Sequence, residues 1–249
     1  MDKEAGGIQV IARAAAILRA VGRQGMSLGA LARDTGLPRS TVQRIVDALA
    51  AEQFVETGED GVKLGGGIRQ LAQATPTDVV HAARPFLEAL YDATGETVDI
   101  SCRGGREVVF LDRLNSTQEL RVVSITDKPQ LLHAMANGKA LLASMGADAS
   151  WRLMEKHLVR LTEHTIHTRE SLLSHIEAIR VEGFAYDREE HAIGVCAIGV
   201  PIRVPGLQTH AISVALPTSR FAASRESIKE KLKQTQTAVE AALNCMLNA

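Results

Sequence analysis

"GLPRSTVQRIVDALA", residues 36–50, opens with a glycine and a proline and runs into a helical pattern whose polar residues crowd its front. Val42, Ile45, Val46 and Leu49 fall at the i, i+3, i+4, i+7 spacing of one buried stripe. Ser40, Gln43, Arg44 and Asp47 repeat the same spacing about half a turn away, so the pattern predicts an outward polar face. Gly36 suits the turn that ends a preceding helix, and Pro38 suits a first helical turn, which has no use for the missing N–H. Arginine can bond guanine O6 and N7, glutamine can bond adenine N6 and N7, and short hydroxyls at a helix start reach phosphate. The outward face therefore has the chemistry of a reader of double-stranded DNA, although a lone polar helix face is ordinarily just solvated.

Upstream, Val10, Ile11, Ala14, Ile17, Leu18 and Val21 predict a first helix beginning at Ile8 and ending near Gly22. Ser27 can cap a second, "LGALARDT". Three short helices with a tight turn between the last two make a helix-turn-helix. Downstream, "FVETG" and "VKLG" flank a turn built on Asp60-Gly61, the signal of a β-hairpin wing. The stretch "GGGIRQLAQATPTD" mixes glycines with a short helical pattern up to Pro76. The expected division is a DNA-binding domain over 1–66, a linker helix over 67–77 and an effector-binding and oligomerisation domain over 78–249.

In that larger segment, "VVHAARPFLEALYDATG" predicts a helix, and "ETVDISCRG", "REVVFLDRL" and "ELRVVSI" predict three antiparallel strands. Residues 137–182 have helical character, "VCAIGVPIRV" and "THAISVALP" return to strand character, and a final helix is expected from about Ser224 to Leu247. Strands at both ends with helices between them predict an α+β domain.

Charge agrees with this division. The 249 residues carry a net charge of -1, but residues 8–48 hold six arginines against two aspartates, a local +4 that leaves -5 for the rest. A basic head on an acidic body is the footprint of a small anion-binding module. No apolar run reaches the roughly 18 residues of a membrane span and the first residues are charged, so no membrane association is expected and a cytoplasmic protein is. Cys102, Cys196 and Cys245 are odd in number and widely spaced, which suggests neither a disulfide framework nor a zinc site.

"IQVIARAAAILRAV", "LARDTGLPRSTVQRIVDALAAEQFVE" and "VKLGGGIRQLA" resemble the winged helix-turn-helix of the IclR family of bacterial transcriptional regulators. "LLHAMANGKALLA", "EGFAYDREEHAIGVCAIGVPI" and "AISVALPTSR" resemble, in order, three motifs of that family's C-terminal domain. The N-terminal stretch is particularly similar to the branch that includes the toluene-efflux regulator of solvent-tolerant bacteria. The resemblance implies a winged helix-turn-helix followed by a GAF-like effector domain, an antiparallel sheet with flanking helices. It implies DNA contacts from Arg39, Ser40, Thr41, Gln43 and Arg44, and it alone selects Arg13. It also implies a homodimer, or a homotetramer built from dimers, on a pseudo-palindromic operator, with no cofactor.

For the effector, the resemblance places the backbone of Ala136, Asn137 and Gly138 at a cavity mouth, with Asp187 and Ser213 as polar pocket residues. Ala197 stands where relatives that bind carboxylates often have cysteine, Cys196 being one place earlier, and Ala215 stands where a second serine is common. Fewer donors favour a larger or less polar ligand over a small carboxylate, and the likeness to the efflux-regulator branch implies a small organic effector, aromatic molecules included. Asp187 also suits capping a turn before "REEH", and Ser213 suits an ordinary strand position.

Other chemistries fit less well. Gly138-Lys139 lacks the spacing of a phosphate loop, since His133 and Ala140 occupy its flanking positions. His157, Glu163, His164 and His167 lack a tight metal-ligand spacing. Cys196 beside His191, or Ser213 with Asp187, lacks an activating motif, so no enzyme is expected. The sequence predicts a ligand-responsive regulator, a repressor released by its effector or, nearly as compatible, an effector-dependent activator.

Overall fold

The computed structural model describes residues 9–21, 25–58, 60–73, 79–123 and 130–247. The chain divides into two compact units, Met1–Pro76 and Thr77–Ala249.

The N-terminal unit contains α1 (Gln9–Ala20), α2 (Leu28–Thr35), α3 (Arg39–Ala51), β1 (Val55–Gly58), β2 (Gly61–Leu64) and α4 (Gly66–Gln73). Its core joins Ile17 on α1 and Val21 just after it, Leu31 on α2, Val42, Ile45, Val46 and Leu49 on α3, and Val55 and Val62 from the hairpin. The stripe expected on α3 is therefore the buried one. Ser27 caps α2, its Oγ accepting the Ala30 N–H at 3.2 Å, and Gly36 ends it at φ +66°. Pro38 stands one place before α3, where its carbonyl accepts the N–H groups of Thr41 and Val42 at 2.9 and 3.0 Å.

β1 and β2 pair antiparallel with Gly58 opposite Gly61. A third segment joins them, because Met26 and Val62 exchange backbone hydrogen bonds of 2.9 and 2.8 Å. Gly61, at φ +99°, permits that approach, since a Cβ there would lie 2.6 Å from the Met26 carbonyl oxygen. The expected end of the first helix at Gly22 and the last residues of the expected linker helix lie outside the described residues.

The C-terminal unit contains α5 (Val79–Thr94), β3 (Thr97–Gly104), β4 (Glu107–Leu114), α6 (Ala136–Met145), α7 (Ala147–Met154), α8 (Arg169–Glu182), β5 (Ala185–Arg188), β6 (Val195–Ile202), β7 (His210–Pro217) and α9 (Thr218–Leu247). The strands form one antiparallel sheet in the order β4-β3-β7-β6-β5. On one face, Val98, Ile100, Ile198, Val200, Ile212 and Val214 pack with Leu87 and Leu90 of α5 and Leu232 and Val239 of α9. Each such side chain contributes about 1.5–3 kcal/mol of burial. On the other face lie α6, α7 and α8, with Leu141, Leu142, Met154, Leu172 and Ile176 in their shared core.

The structure corrects the sequence reading at three places. Residues 119–123 of "ELRVVSI" form no strand. Their carbonyls meet side chains instead of a ladder: the Thr97 hydroxyl donates to Val122 O at 3.3 Å and Arg220 donates to Leu120 O at 3.0 Å. β5, four residues long, closes the sheet where no strand was expected. α9 begins at Thr218, six residues before the expected start.

Candidate functional site

Two surfaces gather the chemistry, one in each unit. In the N-terminal unit, Arg39, Ser40, Gln43, Arg44 and Asp47 of α3 are exposed, Thr41 is half-buried, and Arg13 on α1 is exposed. They divide between two grooves along α3. Arg13, Thr41 and Arg44 line one, between α1 and α3, while Arg39 and Gln43 line another that runs past Ser27 and Gly29 at the start of α2 to Thr57 and Gly58 of the wing. Gln43 donates to Asp47 at 2.7 Å and Arg13 donates to Gln9 at 3.0 Å. Both bonds are between exposed side chains and are readily exchanged for other partners.

In the C-terminal unit, a cavity of about 280 Å³ lies on the α6 face of the sheet. Register explains its floor. Asp187, Ala197, Ala215 and Thr97 stand side by side across β5, β6, β7 and β3. The neighbouring row on the same face is Gly199, Ser213, Asp99 and Arg113. Small residues in the first row leave space above the strands. In the second, Gly199 lets the start of α6 settle on β6, for a Cβ there would lie 3.0 Å from the Ala136 carbonyl carbon and 3.1 Å from the Asn137 nitrogen.

Asp99 organises the floor. Its Oδ1 accepts from Ser213 Oγ at 2.9 Å and Asn137 Nδ2 at 3.2 Å, and its Oδ2 accepts from Arg113 Nη2 at 3.4 Å. Burial pushes the Asp99 carboxyl up from the ordinary range, and the Arg113 charge pulls it back. Arg113 also lies 3.9 Å over the Phe110 ring. Asn137 spends its remaining capacity on Ser101 Oγ at 3.1 Å and on its own helix start, where Oδ1 accepts the Gly138 N–H at 2.9 Å.

Asp187 forms the opposite wall. Its Oδ1 accepts the N–H groups of Glu190 and His191 at 2.8 and 3.3 Å. It therefore both caps that turn and lines the cavity. Burial pushes its carboxyl up to about 7, Lys139 opposing and Glu190 adding to the rise. Apolar atoms of Phe110, Val122, Val123, Met135, Ile193 and Val195 complete the enclosure. Arg220 grips Glu96 with two bonds of 2.6 and 2.8 Å while donating to Leu120 O, two residues before the lining Val122.

Of the residues expected around an effector, Ala136, Asn137, Asp187, Ala197, Ser213 and Ala215 line this cavity. Gly138 and Cys196 are not among its lining residues. Gly138 is pressed against the backbone of Leu132, where a Cβ would not fit. Cys196 alternates to the far side of β6 and meets Thr218 Oγ1 at 3.4 Å. Asp99, Phe110 and Arg113 line the cavity without having been singled out, and His191, weighed only as a base beside Cys196, lines it too. The signal for Asp99 was present: a lone carboxylate in "TVDIS", otherwise the pattern of a buried strand.

Comparison with known proteins gives the same two parts. The family model for the IclR helix-turn-helix domain matches residues 10–59, and that for the bacterial transcriptional regulator IclR C-terminal part matches residues 71–241. The chain is 39% identical over 224 residues to the HTH-type transcriptional regulator Rv1719 of Mycobacterium tuberculosis, covering 88% of this chain and 86% of that one. It is 36% identical over 244 residues to the HTH-type transcriptional regulator TtgV of Pseudomonas putida, covering 96% and 93%. Among solved structures, an IclR homolog from Microbacterium hydrocarbonoxydans complexed with 4-hydroxybenzoate superposes with a TM-score of 0.80 at 24% identity, covering 95% and 99%, a likeness of fold.

Proposed function

The chain belongs to the IclR family of bacterial transcriptional regulators, and from that premise we propose that it is a repressor that leaves its operator when a small organic molecule fills the cavity of the C-terminal unit. The observation that carries this reading is α3, which buries a wholly apolar stripe and presents Arg39, Ser40, Gln43 and Arg44 outward. Arg39, Gln43 and Arg44 reach base edges and phosphates, Ser40 and Thr41 reach phosphate at the helix start, and Arg13 reaches the backbone beside them. The working form is a dimer or a dimer of dimers, with two copies of α3 about 34 Å apart on a pseudo-palindrome.

Ala136, Asn137, Asp187, Ala197, Ser213 and Ala215 serve the effector, joined by Asp99, Phe110 and Arg113. With the Gly138 N–H taken by Asn137 Oδ1, the N–H groups of Ala136 and Asn137 at the start of α6 favour an acceptor on the ligand. Binding in this domain, over residues 78–249, reaches the DNA-binding domain, over 1–66, through the linker of residues 67–77. The effector shifts that balance only by its difference in affinity for the two states, so a tenfold fall in DNA binding needs about 1.4 kcal/mol.

A thermal-shift screen of aromatics and small organic acids, followed by gel shift on DNA upstream of the gene, tests the reading. A compound that stabilises the chain should lower its affinity for that DNA by tenfold or more. Stabilising compounds that leave the shift unchanged would sink the sensor reading; one that tightens DNA binding would favour the activator.

A further inference from the structure

Among the described residues, one more acid than base is buried around the cavity. Asp99 and Arg113 balance each other on the floor. On the opposite wall, Glu190 is ion-paired with Lys139, which rises from α6 and is 1% exposed, while Asp187, 2% exposed, makes no ion pair among the described residues. The second carboxylate oxygen of Glu190 is buried without a hydrogen-bond partner. No ion pair among the described residues redresses the count. Glu189, beside the pair, is a further acid, and its Oε1 accepts the Gly194 N–H at 2.7 Å. Arg188 alternates to the other face of β5, where it is exposed over the Tyr186 ring. His133, behind Lys139, is pushed by burial toward its neutral form. Cys196, on β6, is held in the thiol form by burial. His191 follows in the same turn, and its backbone N–H is already given to Asp187. A buried carboxylate without its own cation is expensive, and it is neutralised by taking a proton or by a ligand that brings one.

We propose that Asp187 is a charge filter for the effector: because Lys139 is held by Glu190 and no ion pair among the described residues reaches Asp187, the cavity takes a ligand whose polar group is uncharged or cationic, and admits a carboxylate only together with a proton. This deepens, and rests on, the effector-cavity reading above. The upward displacement of the Asp187 carboxyl to about 7 agrees with the geometry and sets the range of pH in which the filter works. A carboxylate ligand binds with constant affinity below about pH 7 and about tenfold more weakly for each pH unit above it. A neutral alcohol of the same shape lacks that dependence.

The test uses calorimetric titration of the full chain between pH 6 and 9 with three probes of one shape: 4-hydroxybenzoate, 4-hydroxybenzyl alcohol and 4-hydroxybenzylamine. At pH 8 the alcohol and the amine should bind at least tenfold more tightly than the benzoate, whose affinity alone should fall with pH. Asp187→Asn, which keeps an oxygen for the two backbone N–H groups, should abolish the fall. Glu190→Gln, which leaves Lys139 to Asp187, should move it to lower pH. Benzoate binding that is the tightest of the three and flat in pH would overturn the filter while leaving the effector cavity standing. Failure of all three probes to bind a chain that still melts cooperatively would overturn both. A ligand-free readout accompanies them. With a folded-state value raised from an ordinary 3.8, the Asp187 contribution to stability is present at low pH and lost as pH rises through 7. The melting temperature of the wild type should therefore fall relative to Asp187→Asn between pH 5 and 8, and a constant difference would overturn the reading of Asp187 as a carboxyl without its own cation.

Discussion

In the N-terminal unit, Arg39, Ser40, Gln43 and Arg44 stand in solvent above an apolar core, whereas in the C-terminal unit Asp99, Asn137, Asp187 and Ser213 are all buried. Among the described residues, every buried polar or charged side chain lies beyond residue 95. The difference teaches where function and stability can be separated. A reader of DNA keeps its hydrogen-bonding groups free for a partner, so removing one leaves the fold nearly untouched. A cavity that holds its polar groups out of water must satisfy them internally, and the same bonds then support the fold.

The largest effect that could break this comparison belongs to Asp99. Asp99→Ala strips the acceptor from Arg113, Asn137 and Ser213 at once, and the unfolding free energy should fall by about 3–5 kcal/mol in a denaturant titration. A loss below about 1 kcal/mol would mean that the floor is not structural. Arg44→Ala should do the reverse. Stability should stay within about 0.5 kcal/mol, while operator affinity drops by about 1–3 kcal/mol in a gel-shift titration and affinity for random DNA drops less. Equal losses on both DNAs would make Arg44 a phosphate contact only. The smallest effect sharpens the picture inside the N-terminal unit: Ser27→Ala removes the cap of α2 and should cost about 1 kcal/mol of that unit's stability, read from its melting curve.

The N-terminal unit was legible because its signals are local. Ser27, Gly36, Pro38 and the stripe on α3 each act within one helix or turn, and the chain honours them. The cavity was legible only in part. Ala136, Asp187, Ala197 and Ser213 were found through family motifs. Asp99 meets Arg113 and Ser213 only through strand register, and no pattern of spacing along the chain announces a partner 114 residues away. The false strand at "ELRVVSI" has a related origin. Apolar residues there alternate as in a sheet but are spent on the cavity, with Val122 and Val123 lining it. β5 was missed for the opposite reason, since four residues give alternation too little length to show itself.

Gly199 gives the cavity its depth without touching what lies inside it. The start of α6 can rest on β6 only because that position carries hydrogen, so the height of the roof above the floor is inherited from a residue that no ligand needs to meet. Two chains with identical cavity walls would differ in calibre if one bore alanine there, its α6 lifted by a few tenths of an ångström and Asn137 drawn away from Asp99. Change of ligand size in such a scaffold thus has a route that leaves the recognising side chains alone: the ceiling is adjusted, and the furniture stays where it was.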